Sequence, residues 1–580
     1  MEIMKKEELK KLIDTAAGRI PADLVIRNGR VADVYQGCFI EGDVAVSGGR
    51  IAGIGNYEGA AEADAKGGYV LPGFIDGHIH IESSFVSPEE IGRLLVPHGT
   101  STIIADPHEI VNVCGLAGLE YMLRASEKTI LDIRMMLPSC VPSTVFEHAG
   151  AVLDASVMEA PLSDDRVWGM GEFMDYPAVI NGSNAALDKL MLAKKTGKLV
   201  DGHSPGVRGK ELNAYSSARI HTDHECATLE DLRRRISRGM YVLLRQGSAC
   251  HDLRGLLKGV TPENSRYCVL CSDDRQPRTI LEKGHLDDHL RICVEEGMDP
   301  MTAIRMATIN AAECYRLYDR GGIAPGLRAD LALVDNLKDF RVSRVFIEGK
   351  EAAAGGKYLL PVDRCDDTAV RSSFHVGDFS AEKLALHLTG DDVYVIDITP
   401  GTVVTRKGKA KVRRDASGCF VYDPGADIVK IAVVERHQNT GNVALGLLRG
   451  YGIRRGAIAL SIAHDSHNII AAGVDDREIV FAVEKLLEQN GGVTLVREGR
   501  VLEQMPLPLG GLMSDQSGEW VNKKLNAVHE AAFRELGVNP DLEPVMGLCF
   551  MSLPVIPELK ITDMGLFDVE RFTFIPVSVQ

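Results

Sequence analysis

Apolar and polar positions change rhythm along this chain, and the changes divide it. Between residues 71 and 273, apolar or β-branched runs recur near 71–80, 100–106, 131–140, 166–172, 198–203, 217–224, 240–246 and 267–273. Each run closes on polar residues. Between several of them the apolar positions shift to helical spacing, as in "PEEIGRLLVPHG", "NAALDKLMLAKKTG" and "TLEDLRRRISRG". Eight strand–helix units in roughly 250 residues are what a (β/α)8 TIM-like barrel needs. An open doubly wound sheet is the alternative, but it rarely runs to eight regular units.

The flanks read differently. "ADLVIRNGRVADVYQGCFIEGDVAVSGGRIAGIG" is a series of short alternating strands broken by N-G, E-G and G-G turns, and a similar texture returns at 321–356. Two such segments around a long middle predict a small antiparallel β-sandwich domain assembled from both flanks. Residues 5–16 predict a polar helix with Leu9, Leu12 and Ile13 on one stripe. After residue 360 the pattern is mixed again, with strands at "DVYVIDIT" and "DIVKIAVVE" and a helix at "DREIVFAVEKLLEQNGG". The expected class is therefore α/β. Residues 1–70 and 321–360 build the β domain, 71–320 the barrel, and 361–580 an additional C-terminal α/β domain.

Charge and cysteine usage narrow the partners. Acidic residues outnumber basic ones by 81 to 65, a formal charge of −16. Such a surface repels phosphate backbones and anionic membranes, so neither nucleic acid nor membrane is an expected partner. No apolar stretch approaches the length of about 18 residues needed to span a bilayer. The N-terminal "MEIMKKEELKKLIDTAAGRI" lacks an apolar run and is not a signal peptide. Twelve scattered cysteines include Cys268 and Cys271 as C-x-x-C, with no second pair at zinc-ribbon spacing. They read as reduced, mostly buried thiols of a cytoplasmic protein.

Candidate chemistry gathers at the predicted strand ends, where a (β/α)8 barrel carries its active site. In "GFIDGHIHIESS", Asp76, His78, His80 and Glu82 fall on one alternation, and alternate strand residues share a face. Strand one thus ends in His78 and His80, and strand two in "ADPHE" with His108 and Glu109. Strand four ends in Glu172, strand five in His203, strand six in His224, and strand eight in "CSDDRQP" with Asp273 and Asp274. H-x-H alone is weak, and a single histidine is more often structural. His98, His148, His221, His251, His285 and His289 are read that way. The ordered set is what carries weight. Four histidines with Glu172 and Asp273 are the inventory of a two-metal hydrolytic centre, in which Glu172 is the candidate bridge and a water between two cations loses its proton near neutral pH. His108 and Glu109 are left open among outer pair, substrate contact and helix cap.

These motifs identify a family. "GFIDGHIHIESS", "GEFMDYP", "DGHSPG", "TDHE" and "SDDRQP" resemble the adenine deaminases of the amidohydrolase superfamily. "ERHQNTGNVALGLLRGYGIRRGAIALSIAHDSHNI" and "LPVIPELKITDMGL" are similar to that family's C-terminal domain, so the resemblance spans nearly the whole chain. Hydantoinase-like relatives bridge their metals with a carboxylated lysine, whereas here the strand-four position carries Glu172. The resemblance implies hydrolytic deamination of adenine to hypoxanthine and ammonia in purine salvage, two divalent ions (Mn2+ or Fe2+, with Zn2+ open), and a homodimer or higher homo-oligomer. It implies His78, His80, Glu172, His203, His224 and Asp273 as metal ligands, with Asp273 also moving the proton. Glu109 is the expected partner in catalysis, and Glu82, Ser83, His108 and Asp274 the expected substrate contacts. Action on a cyclic amide or another aminated heterocycle is the competing expectation, and a non-catalytic binding protein is disfavoured because no ligand is missing. His437, His464, Asp465 and His467 either line the mouth, bind a further ion, or only pack against the barrel.

Overall fold

In a computed structural model, residues 4–579 are described. The eight expected middle strands form, and we number them β1 (Phe74–Ile79), β2 (Thr100–Ala105), β3 (Asp132–Leu137), β4 (Val167–Phe173), β5 (Leu199–Gly202), β6 (Thr222–Asp223), β7 (Tyr241–Arg245) and β8 (Cys268–Cys271). β1 to β5 make one parallel sheet and β6 to β8 a second. At one seam Ile79 of β1 bridges in parallel to Asp273, just past β8. At the other, His221 N–H donates to Val200 O at 3.2 Å. The strands are buried on both faces, which is why they read as continuous apolar runs.

Glycine permits the tightest approach. A Cβ on Gly77 in β1 would stand 2.6 Å from Val269 Cγ1 in β8, so a side chain there would push these strands apart.

Two sequence expectations shift. The run at 71–80 is two strands, because Tyr69–Pro72 belongs to the β domain and the chain breaks at Pro72-Gly73 before β1. The run at 217–224 shrinks to Thr222–Asp223, since the preceding helix Gly209–Ser217 occupies its start.

The β domain forms from both flanks. A seven-stranded sheet joins Arg30–Asp33, Cys38–Glu41 and Tyr69–Pro72 edge to edge with the returning strands from Leu331 to Tyr358, Tyr69–Pro72 pairing Leu331–Val334. A four-stranded sheet holds Ala22–Arg27, Asp43–Ser47, Arg50–Gly55 and Gly59–Asp64. Ile26, Val44 and Ile51 from the smaller sheet pack with Val31, Val70, Leu331 and Phe346 from the larger one. The pairing is mixed rather than antiparallel throughout. Ala22–Arg27 runs parallel to Gly59–Asp64, and Arg30–Asp33 parallel to Tyr69–Pro72. The helix Lys6–Ala16 forms, but it buries Leu12 and Thr15 and leaves Leu9 and Ile13 47 % and 51 % exposed.

Beyond residue 360 an eight-stranded mixed sheet carries the helix Asp476–Glu488 on one face, through Ile479, Ala482, Val483 and Leu486. The turn from Ser461 to Asn468, between strands Ala457–Leu460 and Ile469–Gly473, is buried at every residue. It projects toward the C-terminal ends of the parallel strands. All twelve cysteines are free, and seven of them are buried. Among the described residues, no helix is long and apolar enough to cross a membrane.

Candidate metal centre and active site

The strand ends bring the predicted residues together. His78 and His80 leave β1 on one side, with Nε2 atoms 3.0 Å apart. His80 Nδ1 faces the Asp106 carbonyl at 2.9 Å, and a carbonyl only accepts, so Nδ1 carries the proton. His80 Nε2 stands 3.2 Å from Asp273 Oδ1 and 3.4 Å from Glu172 Oε1. On the other side of Glu172, Oε2 lies 2.8 Å from His203 Nδ1 and 3.2 Å from His224 Nε2. His224 stacks on His78 with ring centroids 4.2 Å apart.

Imidazole nitrogens and carboxylate oxygens converging at such distances form a chelating donor set. The donor set therefore fits two divalent cations, one beside His78, His80 and Asp273 and one beside His203 and His224, with Glu172 touching both groups. The buried groupings His78–His80–Asp273, His78–Glu172–His224, His80–His108–Glu172 and His203–His224–Glu225 could each hold a cation.

The local structure explains these positions. Glu172 sits at the end of β4 in "GMGEF", where its N–H donates to Asp106 Oδ2 at 2.8 Å. Gly171 makes room for that carboxylate, since a Cβ there would stand 2.0 Å from Asp106 Oδ2. Asp273 adopts a left-handed backbone conformation, φ 57°, which is uncommon for a residue with a side chain and turns its carboxylate to the centre. Its N–H donates to His78 O and its carbonyl accepts from His80 N.

The second ring of predicted residues lies close by. Ser83 donates to Asp274 Oδ1 and stands 3.5 Å from Glu109 Oε1. Glu82 lies past the end of β1, in the single turn Glu82–Ser84. Its Oε1 accepts the Ile110 N–H at 3.2 Å, and its Oε2 has no partner. Asp76 lies on the face of His78 but deeper, bonded to Ser272 and with Oδ2 2.9 Å from His285 Nε2. The alternation that joined Asp76, His78, His80 and Glu82 thus holds for three of the four.

Ionisation states separate sharply. Burial pushes the Glu109 carboxyl well above its ordinary range, and the Glu82 and Asp274 carboxylates add to that against the pull of His108 and His80. Burial acts the same way on Asp273, but His80 and the Arg245 guanidinium overcome it and hold the group well below its ordinary range. Asp274 is raised to about 6 by burial and the Asp273 charge.

Sequence reading missed three groups here. Arg245, which closes β7, donates to Asp273 Oδ2 at 2.8 Å and binds Glu225 and Asp252. Glu225 Oε1 lies 3.4 Å from His224 Nε2. Asp106 orients both His80 and Glu172. All three close predicted strands, so the rule that found the histidines was sufficient to find them. Of the C-terminal group, His437 Nε2 bonds the Ser466 carbonyl at 2.7 Å, and Asp465 Oδ1 lies 3.6 Å from Nε2 of a barrel histidine, His108.

Comparison with known proteins follows the same division of the chain. The family described as adenine deaminase C-terminal domain matches residues 402–573, and the amidohydrolase family matches residues 69–352. "Adenine deaminase 2" of Desulfotalea psychrophila is 62 % identical over 99 % of this chain and 100 % of its own. The chain belongs to the adenine deaminase family. "Adenine deaminase" of Ligilactobacillus salivarius is 51 % identical over 99 % of both chains, and that of Nitratidesulfovibrio vulgaris strain DP4 is 50 % identical over 98 % of this chain and 99 % of its own.

Proposed function

We propose that this protein hydrolyses adenine to hypoxanthine and ammonia. Its full-length kinship with proteins named adenine deaminase supports the substrate, and the two-sided Glu172 cluster supports the chemistry. We read the two parallel sheets as one (β/α)8 barrel, carried on residues 71–320, with the β-sandwich from 1–70 and 321–360 and the C-terminal domain from 361–580. His78, His80, Glu172, His203, His224 and Asp273 would hold two divalent ions, with Mn2+ or Fe2+ favoured over Zn2+. Such ions would supply a nucleophile at neutral pH and stabilise developing negative charge.

The chain's own residues divide the remaining work. Asp273, held ionised by His80 and Arg245, takes the proton released when the nucleophile forms. Glu109, kept protonated by burial, donates a hydrogen bond or a proton to a ring nitrogen as electron density moves into the purine. Two carboxyl groups with ionisation pushed in opposite directions are what an acid–base pair requires. Ser83 and Asp274 extend from Glu109 as a hydrogen-bonding line for the base, with Glu82 and His108 on its flanks. We place the enzyme in the cytoplasm, in purine salvage, as a homodimer or higher homo-oligomer.

The test is a direct assay. Protein purified with Mn2+ is given adenine or adenosine, and ammonia and hypoxanthine are followed before and after chelation. Chelator-sensitive turnover of adenine but not adenosine is expected. No ammonia from adenine, in protein shown to carry metal, would overturn the substrate and favour a cyclic amide or another aminated heterocycle.

A further inference from the structure

His108 opens the helix His108–Ser126 directly after β2, and its ring reaches back over the strand ends. Its Nδ1 lies 3.4 Å from Glu172 Oε1 and, though buried, has no hydrogen-bond partner. The His108 and His80 ring centroids are 4.5 Å apart. On the opposite edge, His108 Nε2 stands 3.6 Å from Asp465 Oδ1. Asp465 belongs to the buried C-terminal turn Ser461–Asn468, which is braced independently of His108. His464 N–H donates to Cys549 O, the His464 ring stacks on Phe550 at 4.6 Å, and Asn468 Nδ2 donates to His148 O at 2.9 Å.

An ionised carboxylate only accepts. When the nitrogen facing Asp465 holds the ring's single proton, Nδ1 is free to offer a lone pair on the Glu172 side. His80, His108 and Glu172 place ligand atoms within 4.8 Å of one another.

We propose that His108 is a further ligand of the metal centre through Nδ1, and that Asp465 is its positioning residue, so that the C-terminal domain completes the centre. A carboxylate held at the far nitrogen of a ligating histidine orients its ring and raises its basicity, and here that carboxylate comes from the C-terminal domain at 3.6 Å. The inference rests on the reading of the Glu172 cluster as a centre for divalent cations.

The experiment measures Mn2+ affinity of the full-length, metal-stripped protein by competition with a chelating dye. Asp465→Asn should weaken Mn2+ binding about tenfold, and His108→Asn more. The double variant should bind no more weakly than His108→Asn, because Asp465 acts through His108. Asp465→Glu should recover part of the loss. Wild-type affinity in both single variants, or strictly additive losses, would overturn the proposal. So would a lowered melting temperature of metal-free Asp465→Asn with unchanged affinity, which would make the pair merely structural. If the variant His108→Asn does not fold, His108→Gln replaces it in the cycle. Failure of the wild type to bind Mn2+ would sink the metal-centre reading itself, whereas normal binding in wild type and variants alike sinks only this inference.

Discussion

At the scale of single residues, the proposed mechanism rests on the opposed ionisation of Glu109 and Asp273. Both are buried carboxyl groups, and neighbours alone separate them. Both feel His80, and Glu109 also His108, but Glu109 faces the Glu82 and Asp274 carboxylates while Asp273 faces the Arg245 guanidinium. If Glu109 works as a hydrogen donor near the ring, Glu109→Gln keeps a donor but loses the transferable proton. Its kcat should fall about 100-fold, in line with the loss of a general acid, with bound metal unchanged by elemental analysis. Turnover at the wild-type rate would remove Glu109 from the reaction. The positions of both residues at strand ends were legible in the sequence, because polar residues close the barrel strands in order. Their ionisation was not, because it depends on Glu82, Asp274 and Arg245, which only folding brings beside them.

At the scale of elements, the alignment of β1 with β8 decides whether His78 and His80 meet Asp273. Asp76 is the clamp. Its Oδ1 accepts the Ser272 N–H at 3.0 Å, and its Oδ2 faces His285 Nε2 at 2.9 Å. That contact makes Nε2 the protonated nitrogen, so His285 Nδ1 accepts from the Thr100 hydroxyl at 2.7 Å, drawing β2 into the same cluster. Removing Asp76 would strand the buried Ser272 N–H and hydroxyl. Asp76→Ala should cost about 3 kcal/mol, the upper end of the range for leaving buried donors unpaired, and Thr100→Val about 1 kcal/mol. Urea unfolding of the metal-free proteins measures both, and an unshifted midpoint for Asp76→Ala would refute the clamp. The sequence reading set His285 aside as structural, and it is. The same reading put Asp76 on the face of His78, which is correct, but alternation fixes a face and not a depth. Glu82 escaped the pattern for a related reason, since β1 ends at Ile79 and a period of two has no meaning in the turn that follows.

At the scale of the whole molecule, the C-terminal domain closes on the loop that follows β3, and the contact is acidic. His148 of that loop gives its N–H and Nδ1 to Asp563, and Gln438 Nε2 donates to Ala149 O. Beside them Glu147 is buried, accepts from Ser143 at 2.7 Å, and has its second oxygen unpartnered. The net charge of −16 gave no hint of this, because it describes the surface and not which carboxylates meet when two domains dock. Burial, with the Asp465 and Asp563 charges, raises the Glu147 carboxyl from 4.5 to about 8. Below pH 4.5 the group is neutral in both folded and unfolded chains. Between 4.5 and about 8 the unfolded chain ionises while the folded one keeps its proton, so this contribution to stability declines as pH rises and is gone above about 8. Glu147→Gln preserves the neutral form at every pH. Its stability advantage over wild type should be near zero at the acid end, widen by at most about 1.4 kcal/mol per pH unit, and level off at the alkaline end. Melting temperatures of both proteins across that range measure it. A constant gap would mean that Glu147 is not titrating at the interface. A gap that narrowed with rising pH would mean that the group is already ionised in the folded chain, so that the domains meet around a paired charge rather than a retained proton.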